Sequence, residues 1–177
     1  ENVKAVAKKL KNEKIKVTGL INAAGISSMN LAVATTPNMT QSIIQTNLVG
    51  TIYCCQIFSP LMFRNKSGSI INFSTIAVPL GLKGESVYVA SKAGIEGFSH
   101  SFAREAADFN VRVNCIAPGP INTDLLKGVS SEQIDCIVSQ QVIPKQFNPS
   151  DVCDLVELLL DDKSASLSGQ VLNVGGA

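Results

Sequence analysis

The sequence predicts an α/β protein built on a parallel sheet of about four strands with flanking helices. Short apolar runs predict strands at 17–25, 69–75, 111–118 and 170–176. Longer segments with helical periodicity separate these runs, at about 39–64, 85–109 and 150–161, and another helix opens the chain. Connections of that length are too long for hairpins, so we expect neighbouring strands to be parallel, with right-handed crossovers.

Individual elements carry their own signals. The opening helix has Val3, Val6 and Leu10 at a spacing of three to four residues, as an amphipathic helix requires. The helix at 150–161 has good start signals, because Ser150 can cap its first turn and Asp151 suits its positive end. Residues 119–148 show no clear pattern, so we expect a long loop of the kind that often covers a ligand.

Composition narrows the class of protein. A length of 177 residues predicts one domain over 1–177, and 45% hydrophobic residues suffice for a substantial core. The net charge of +1 and the absence of Trp argue against a nucleic-acid surface. No run of about eighteen apolar residues predicts a membrane span. We therefore expect a soluble, cytoplasmic protein that binds neither nucleic acid nor membrane.

The cysteines and the single histidine predict no metal site. The five cysteines show no C-x-x-C spacing, and each lies in an apolar segment, so reduced and buried thiols are expected. His100 has no neighbouring residues that would complete a set of metal ligands. No metal cofactor is predicted.

Small and polar residues follow three of the predicted strands. Asn22-Ala23-Ala24-Gly25 closes the first, Ser74-Thr75 the second and Pro118-Gly119 the third. In open parallel sheets the carboxyl ends of the strands form the ligand-binding edge, and small residues let a ligand approach the backbone. The sequence therefore predicts a binding site at this edge.

The stretch SVYVASKAG, residues 86–94, places Tyr88 four residues before Lys92 on a predicted helix. Residues at that spacing share one helix face, so the phenol and the ammonium can enter one pocket. A nearby positive charge favours phenolate, and we expect it to lower the pKa of Tyr88 toward neutrality. Such a tyrosine can exchange a proton with a substrate.

Together these motifs resemble the short-chain dehydrogenase/reductase family, over essentially all 177 residues. Asn22-Ala23-Ala24-Gly25 matches its N-[NA]-A-G element, Asn47 its active-site asparagine, and Tyr88 with Lys92 its Y-x-x-x-K. Pro118-Gly119 with Thr123 matches its P-G-x-x-x-T. The resemblance is greatest to 3-oxoacyl-(acyl-carrier-protein) reductases and carbonyl reductases, and it implies a Rossmann-like, doubly wound sheet.

The resemblance implies catalytic roles for five residues. Tyr88 would be the general acid, and Lys92 would lower its pKa and bind the nicotinamide ribose. Asn47 would anchor a water that connects Lys92 to solvent. A hydroxyl would hold the carbonyl oxygen, and the family's spacing favours Thr75 whereas residue type favours Ser74, so both remain candidates.

The resemblance also implies a nicotinamide cofactor, NADP or NAD. NADP is favoured by the resemblance alone, because the residues that decide between them are not within the sequence. Besides Tyr88 and Lys92, two groups of residues would contact the cofactor. Asn22, Ala23 and Gly25 would lie at the adenosine-side ribose, and Pro118, Gly119, Ile121 and Thr123 at the nicotinamide end.

One departure from the family concerns phosphate binding. The family's T-G-x-x-x-G-x-G turn, which holds the pyrophosphate, has no counterpart in this sequence. We therefore expect the chain to be the later part of a longer protein, and to bind cofactor poorly and be inactive without an N-terminal part.

The implied activity is reduction of a 3-oxoacyl thioester, including one carried on acyl carrier protein, or of a related ketone. One alternative is a catalytically inactive or truncated member of the family that serves as a binding or regulatory protein. Another is an alcohol or hydroxysteroid dehydrogenase. The helix at 85–109 is apolar on more than one side, and in the family it pairs across subunits, so we expect a homodimer or homotetramer.

Overall fold

The computed structural model describes residues 2–127 and 129–177, which form a parallel sheet with helices on both faces. The strands pair in chain order, each parallel to the next. They are β1 (Gly19–Asn22), β2 (Gly68–Phe73), β3 (Val111–Pro118) and β4 (Val171–Val174). The predicted fold class and the parallel pairing are confirmed.

Seven α-helices connect or flank these strands in the described residues. They are α1 (Asn2–Asn12), α2 (Pro37–Ile43), α3 (Gly50–Asn65), α4 (Ala77–Leu80), α5 (Ser86–Ala107), α6 (Ser131–Val138) and α7 (Pro149–Leu160). Short 3-10 turns lie at Ala32–Ala34, Asp124–Leu126 and Asp162–Ser164. Each of the long predicted helices is present, with ends displaced by one or two residues.

Two apolar clusters hold the layers together. On one face of the sheet, Met62 of α3 and Phe102 of α5 pack with Ile70 of β2. On the other face, Leu159 of α7 packs with Ile71 of β2 and Ile116 of β3. Because alternate strand residues point to opposite faces, Ile70 and Ile71 serve different clusters. Both faces of β2 are thereby removed from water, as expected for a central parallel strand.

The strand predictions were too long at their carboxyl ends. Residues 23–25 and 74–75 leave the sheet after β1 and β2 rather than extending it. The apolar runs end in small or hydroxyl-bearing residues, and these form the edge where the loops begin.

The prediction of an unstructured 119–148 was wrong in part, because this segment contains helix α6. Ser130 accepts a hydrogen bond from the backbone N–H of Gln133, and the Gln133 side chain accepts one from the Ser130 backbone N–H. This reciprocal pair is a capping box. Its sequence signature, Ser130-x-x-Gln133, was present and is the signal that could have located the helix.

The helix predicted over 39–64 is interrupted by a wider, π-helical turn. This turn, Ile44–Val49, lies between α2 and α3 and contains Asn47. An inserted π turn changes the direction in which its side chains point and is often found at functional sites. Sequence periodicity gave no indication of it.

The prediction that all five cysteines are buried was wrong for two of them. Cys55 and Cys115 are buried and Cys54 is partly buried, whereas Cys136 and Cys153 are exposed. The exposed pair lies on α6 and α7, each of which is amphipathic and turns one side away from the core.

Candidate active site

A cavity of about 450 Å³ lies at the carboxyl ends of β1, β2 and β3. Ten of the residues predicted for the site line it, from four separate segments of the chain. They are Ala23, Gly25, Ser74, Thr75, Tyr88, Lys92, Pro118, Gly119, Ile121 and Thr123. The fold thus brings together residues that are up to a hundred positions apart in the sequence.

Tyr88 is held on the first turns of α5, with 7% of its surface exposed. Burial, and to a smaller extent the nearby Glu85 carboxylate, raise the pKa of the phenol to about 12. The Thr75 hydroxyl, which can hydrogen-bond the phenol oxygen, opposes this rise in pKa. The expected lowering of the Tyr88 pKa by Lys92 is therefore wrong for this structure, because burial outweighs the charge of the lysine.

Lys92 lies one turn further along α5 and is also buried. Its Nζ donates a hydrogen bond to the Phe73 carbonyl oxygen at 2.8 Å and lies 5.7 Å from the centre of the Tyr88 ring. Burial lowers the pKa of this ammonium to about 8. Lys92 therefore exchanges its proton close to neutral pH, whereas the Tyr88 phenol stays protonated there.

Thr75 and Ser74 have different surroundings, although both line the cavity. The Ser74 hydroxyl donates a hydrogen bond to Oε1 of Glu96 on α5, so its proton is committed to that carboxylate. The Thr75 oxygen accepts a hydrogen bond from the backbone N–H of Ala77 at 3.2 Å. Because Thr75 keeps its own proton available and acts on the Tyr88 pKa, its hydroxyl is the better placed of the two for a substrate oxygen.

Asn47 is fully buried in the π-helical turn. Its Oδ1 accepts from the backbone N–H of Ile26 at 2.8 Å, and its Nδ2 donates to the Ile26 carbonyl at 2.9 Å and to Ser91 Oγ at 3.0 Å. Ser91 in turn donates to the Tyr88 carbonyl at 2.7 Å. Asn47 therefore joins the loop after β1 to the helix that carries Tyr88, and both of its amide protons are used in doing so.

Asn22 does not line this cavity, in contrast to Ala23 and Gly25. Its side chain is buried and donates a hydrogen bond to Asn72 Oδ1 at 2.8 Å, and Asn72 Nδ2 donates to Ser99 Oγ at 2.8 Å. This chain of hydrogen bonds crosses from β1 through β2 to α5. These hydrogen bonds fix the position of α5 relative to the sheet, and with it the positions of Tyr88 and Lys92 beyond the strand ends.

Gly119 follows β3 where the backbone passes close to another segment. A Cβ at this position would overlap Oε1 of Gln141, which lies after α6. The glycine therefore permits the segment after α6 to pack against the end of β3.

Sequence reasoning missed several residues of the cavity wall. The apolar part of the wall includes Leu82, Leu125, Ile137 and Val152, which come from loops and from α6 and α7. Glu85 also lines the cavity, and it precedes Tyr88 by three residues, a spacing that places them on neighbouring positions of one helical turn. That spacing was the one available signal for Glu85.

Comparison with known proteins identifies the family. A family model described as Enoyl-(Acyl carrier protein) reductase matches residues 1–176. A 3-oxoacyl-[acyl-carrier-protein] reductase of Staphylococcus aureus is 34% identical over 176 residues, which cover 99% of this chain and 72% of the relative. The chain belongs to the short-chain dehydrogenase/reductase family.

Other relatives of this short-chain dehydrogenase/reductase agree with that placement. Carbonyl reductase family member 4 of Xenopus laevis is 35% identical over 174 residues, or 98% of this chain and 72% of the relative. Among solved structures, ElxO with NADP bound superposes with a TM-score of 0.88 and 29% identity, covering 97% of this chain and 71% of that one. The crystal structure of gox2181 gives a TM-score of 0.89 at 26% identity, covering 97% and 69%.

Two further findings concern the described residues of this short-chain dehydrogenase/reductase. Over 2–127 and 129–177, no helix is both long and apolar enough to cross a bilayer. In the same part of the chain, no three His, Cys, Asp or Glu side chains lie together as a metal ion would require.

Proposed function

We propose that this protein reduces a carbonyl group to a secondary alcohol, with a 3-oxoacyl thioester or a related ketone as substrate. The observation that carries the proposal is that Tyr88, Thr75 and Lys92 meet at one cavity at the carboxyl ends of the strands. The names of the Staphylococcus aureus and Xenopus laevis relatives support carbonyl reduction, and the former supports a substrate linked to acyl carrier protein.

Tyr88 is the proposed proton donor. Reduction requires a protonated acid beside the carbonyl oxygen, and the raised pKa of about 12 keeps the phenol in that form at neutral pH. The Thr75 hydroxyl donates a hydrogen bond to the same oxygen and stabilises the negative charge that develops there. Lys92, with its pKa near 8, is the group that returns a proton to Tyr88 after turnover.

The residues that line the cavity fit the nicotinamide end of a dinucleotide. Pro118, Gly119 and Ile121 leave an open, largely apolar wall next to Tyr88 and Lys92, and Gly25 leaves the backbone after β1 accessible. When bound, NADPH or NADH supplies the hydride. NADP is favoured because the structural relative ElxO was solved with NADP bound. That residues 1–177 alone bind cofactor poorly stays a prediction.

Asn47 is proposed as a positioning residue. Its side chain is committed to Ile26 and Ser91, so it orients the Tyr88 turn of α5 rather than contacting substrate. A water that connects Lys92 to solvent would use the remaining acceptor capacity of this amide. We further propose that the protein is located in the cytoplasm and that it forms a homodimer or homotetramer.

A spectrophotometric screen of the natural full-length protein tests the proposed function. Acetoacetyl thioesters and simple ketones are offered with NADPH and with NADH, and secondary alcohols, including hydroxysteroids and sugar alcohols, with the oxidised cofactors. We expect consumption of the reduced cofactor with a carbonyl substrate, at a kcat on the order of 1–1,000 s⁻¹. Turnover of alcohols alone would favour the dehydrogenase alternative, and no turnover in either direction would favour the inactive binding protein.

A further inference from the structure

Glu85 is a buried carboxyl group on the wall of the active-site cavity. It precedes α5, three residues before Tyr88, and 9% of its surface is exposed. Burial raises the pKa of the carboxyl above its ordinary value, and its charge contributes to the raised pKa of Tyr88. The group is therefore close enough to the reacting phenol to influence what binds beside it.

Glu85 has no structural partner that accounts for its burial. Its position is the N-cap of α5, yet its side chain makes no capping hydrogen bond. The ion pairs found in the described residues, Lys9–Glu13 and Lys127–Asp124, do not include it. None of the side-chain hydrogen bonds in that part of the chain involves its carboxyl oxygens. Its carboxyl oxygens are not among the buried side-chain atoms that lack a partner in the described residues, so they are reached from the cavity, where water or a ligand can donate to them.

The wall of the cavity also carries hydroxyl groups, among them those of Ser27, Thr75 and Thr123, but none of these is hydrogen-bonded to Glu85 in the described residues. Apart from Glu85, the charged or titratable side chains on its wall are Tyr88, Lys92 and Cys153. The ammonium of Lys92 already donates to the Phe73 carbonyl oxygen. Most of the remaining wall is apolar. The carboxyl group of Glu85 can therefore accept a hydrogen bond from a ligand that displaces water from the cavity.

We propose that Glu85 selects carbonyl substrates that carry a hydroxyl or amino group about three carbons from the reacting carbonyl and rejects those that carry an anionic group there. The proposal rests on the carbonyl reduction proposed above and names a substrate class for the same cavity. A carboxyl group accepts hydrogen bonds in both of its protonation states, so a hydroxyl or ammonium on the substrate satisfies it. An anion at that place meets a carboxyl oxygen in surroundings that screen charge poorly.

The test uses cyclohexanones that differ in the substituent at carbon 4. A hydroxyl supplies the donor, a methyl group of similar size does not, and a carboxylate supplies an anion. The kcat/KM of each is measured for the wild-type natural full-length protein and for Glu85→Met and Glu85→Gln. Glu105→Gln, on the exposed side of α5, is the matched control.

We expect the wild type to prefer the hydroxyl over the methyl compound by about tenfold or more, as a hydrogen bond to a charged acceptor allows. Glu85→Met should abolish this preference, because it removes the acceptor and keeps the side-chain length. Glu85→Gln should keep part of the preference and raise kcat/KM for the carboxylate compound about tenfold or more. Glu105→Gln should keep the wild-type ratios. A preference that both Glu85 variants leave unchanged would overturn the proposal.

A binding measurement separates this proposal from the proposed function. Cyclohexane-1,4-diol and 4-methylcyclohexanol are titrated into the same proteins and followed by NMR chemical shifts of the protein. Tighter binding of the diol that Glu85→Met removes supports the substrate class even if no ketone is turned over. Equal affinity of the wild type for the two alcohols contradicts it even if ketones are reduced.

Discussion

The hydroxyls of Thr75 and Ser74 differ in what they contact, although the two residues are adjacent in the chain. Ser74 donates to Glu96, whereas Thr75 faces the cavity near the Tyr88 phenol. Successive residues leaving a strand point in different directions, so residue type alone did not decide between them. Their different side-chain partners are the reason why we propose Thr75, and not Ser74, as the hydroxyl that contacts the substrate.

Substitution of each hydroxyl tests this assignment. Thr75→Val should lower kcat about 100-fold, as expected when one hydrogen-bond donor to a developing oxyanion is lost. Ser74→Ala should keep most of the turnover but lower the free energy of unfolding by about 1–3 kcal/mol, because the partly buried Glu96 carboxylate loses a donor. Steady-state kinetics and urea denaturation measure the two effects, and the reverse pattern would assign catalysis to Ser74.

Helix α5 is the element that determines where the candidate catalytic groups lie. It carries Tyr88, Ser91 and Lys92, and it approaches the π-helical turn closely at Gly94. An ideal Cβ on Gly94 would lie 2.8 Å from Cδ2 of Leu48, which follows Asn47. The close approach lets Asn47 reach Ser91.

Two alanine substitutions on α5 form a matched pair. Gly97→Ala meets no neighbouring atom within 4 Å and should stabilise the protein by up to about 1 kcal/mol, because alanine favours the helix. Gly94→Ala should be less stable than Gly97→Ala by about 1–3 kcal/mol, because Leu48 must move. Thermal unfolding of both variants measures the difference, and equal stability would mean that the Gly94 contact does not constrain α5.

The sequence predicted the strands and the long helices, but it did not predict the π-helical turn or α6. Strands such as β3 and long helices such as α5 were predicted because apolar residues repeat with the period of each structure. The π-helical turn at Asn47 leaves no such periodic trace, and α6 has only its capping box. The site motifs identified the cavity, but burial, which raised the pKa of Tyr88, depends on tertiary packing that spacing does not reveal.

Across the whole molecule, burial of Lys92 affects the pH dependence of stability. The pKa of Lys92 is lowered to about 8 in the folded chain from its ordinary 10.5. Between these values the unfolded chain binds a proton that the folded chain does not, so this contribution to stability rises with pH from about 8 to 10.5. Below pH 8 the folded chain bears the full cost of burying the charged lysine, which lowers the free energy of unfolding by on the order of 3 kcal/mol. The hydrogen bond from Lys92 to the Phe73 carbonyl oxygen is not counted in this figure.

Lys92→Met should therefore inactivate the protein and stabilise it. At pH 7 we expect its free energy of unfolding to exceed that of the wild type by about 1–3 kcal/mol, a gap that shrinks as the pH rises above 8. Urea denaturation across this pH range measures the gap, with Lys8→Met on the exposed face of α1 as the control. A gap that does not change with pH would contradict the lowered pKa of Lys92.

The predicted homodimer or homotetramer is also a property of the whole molecule. Tyr53 on α3 is 55% exposed, which is high for a tyrosine on a helix that packs on the sheet. Light scattering coupled to gel filtration should give twice or four times the mass of one chain. A mass of one chain at micromolar concentration would contradict the prediction.

The central claim is that Tyr88 donates the proton in a carbonyl reduction at this cavity. Its most direct test is Tyr88→Phe in the natural full-length protein, with kcat measured on a carbonyl substrate and cofactor affinity measured by fluorescence titration. We predict a fall in kcat of about 100- to 10,000-fold with unchanged cofactor affinity, because the ring stays in place and only the acidic hydroxyl is lost. Retention of wild-type turnover by Tyr88→Phe would contradict the claim.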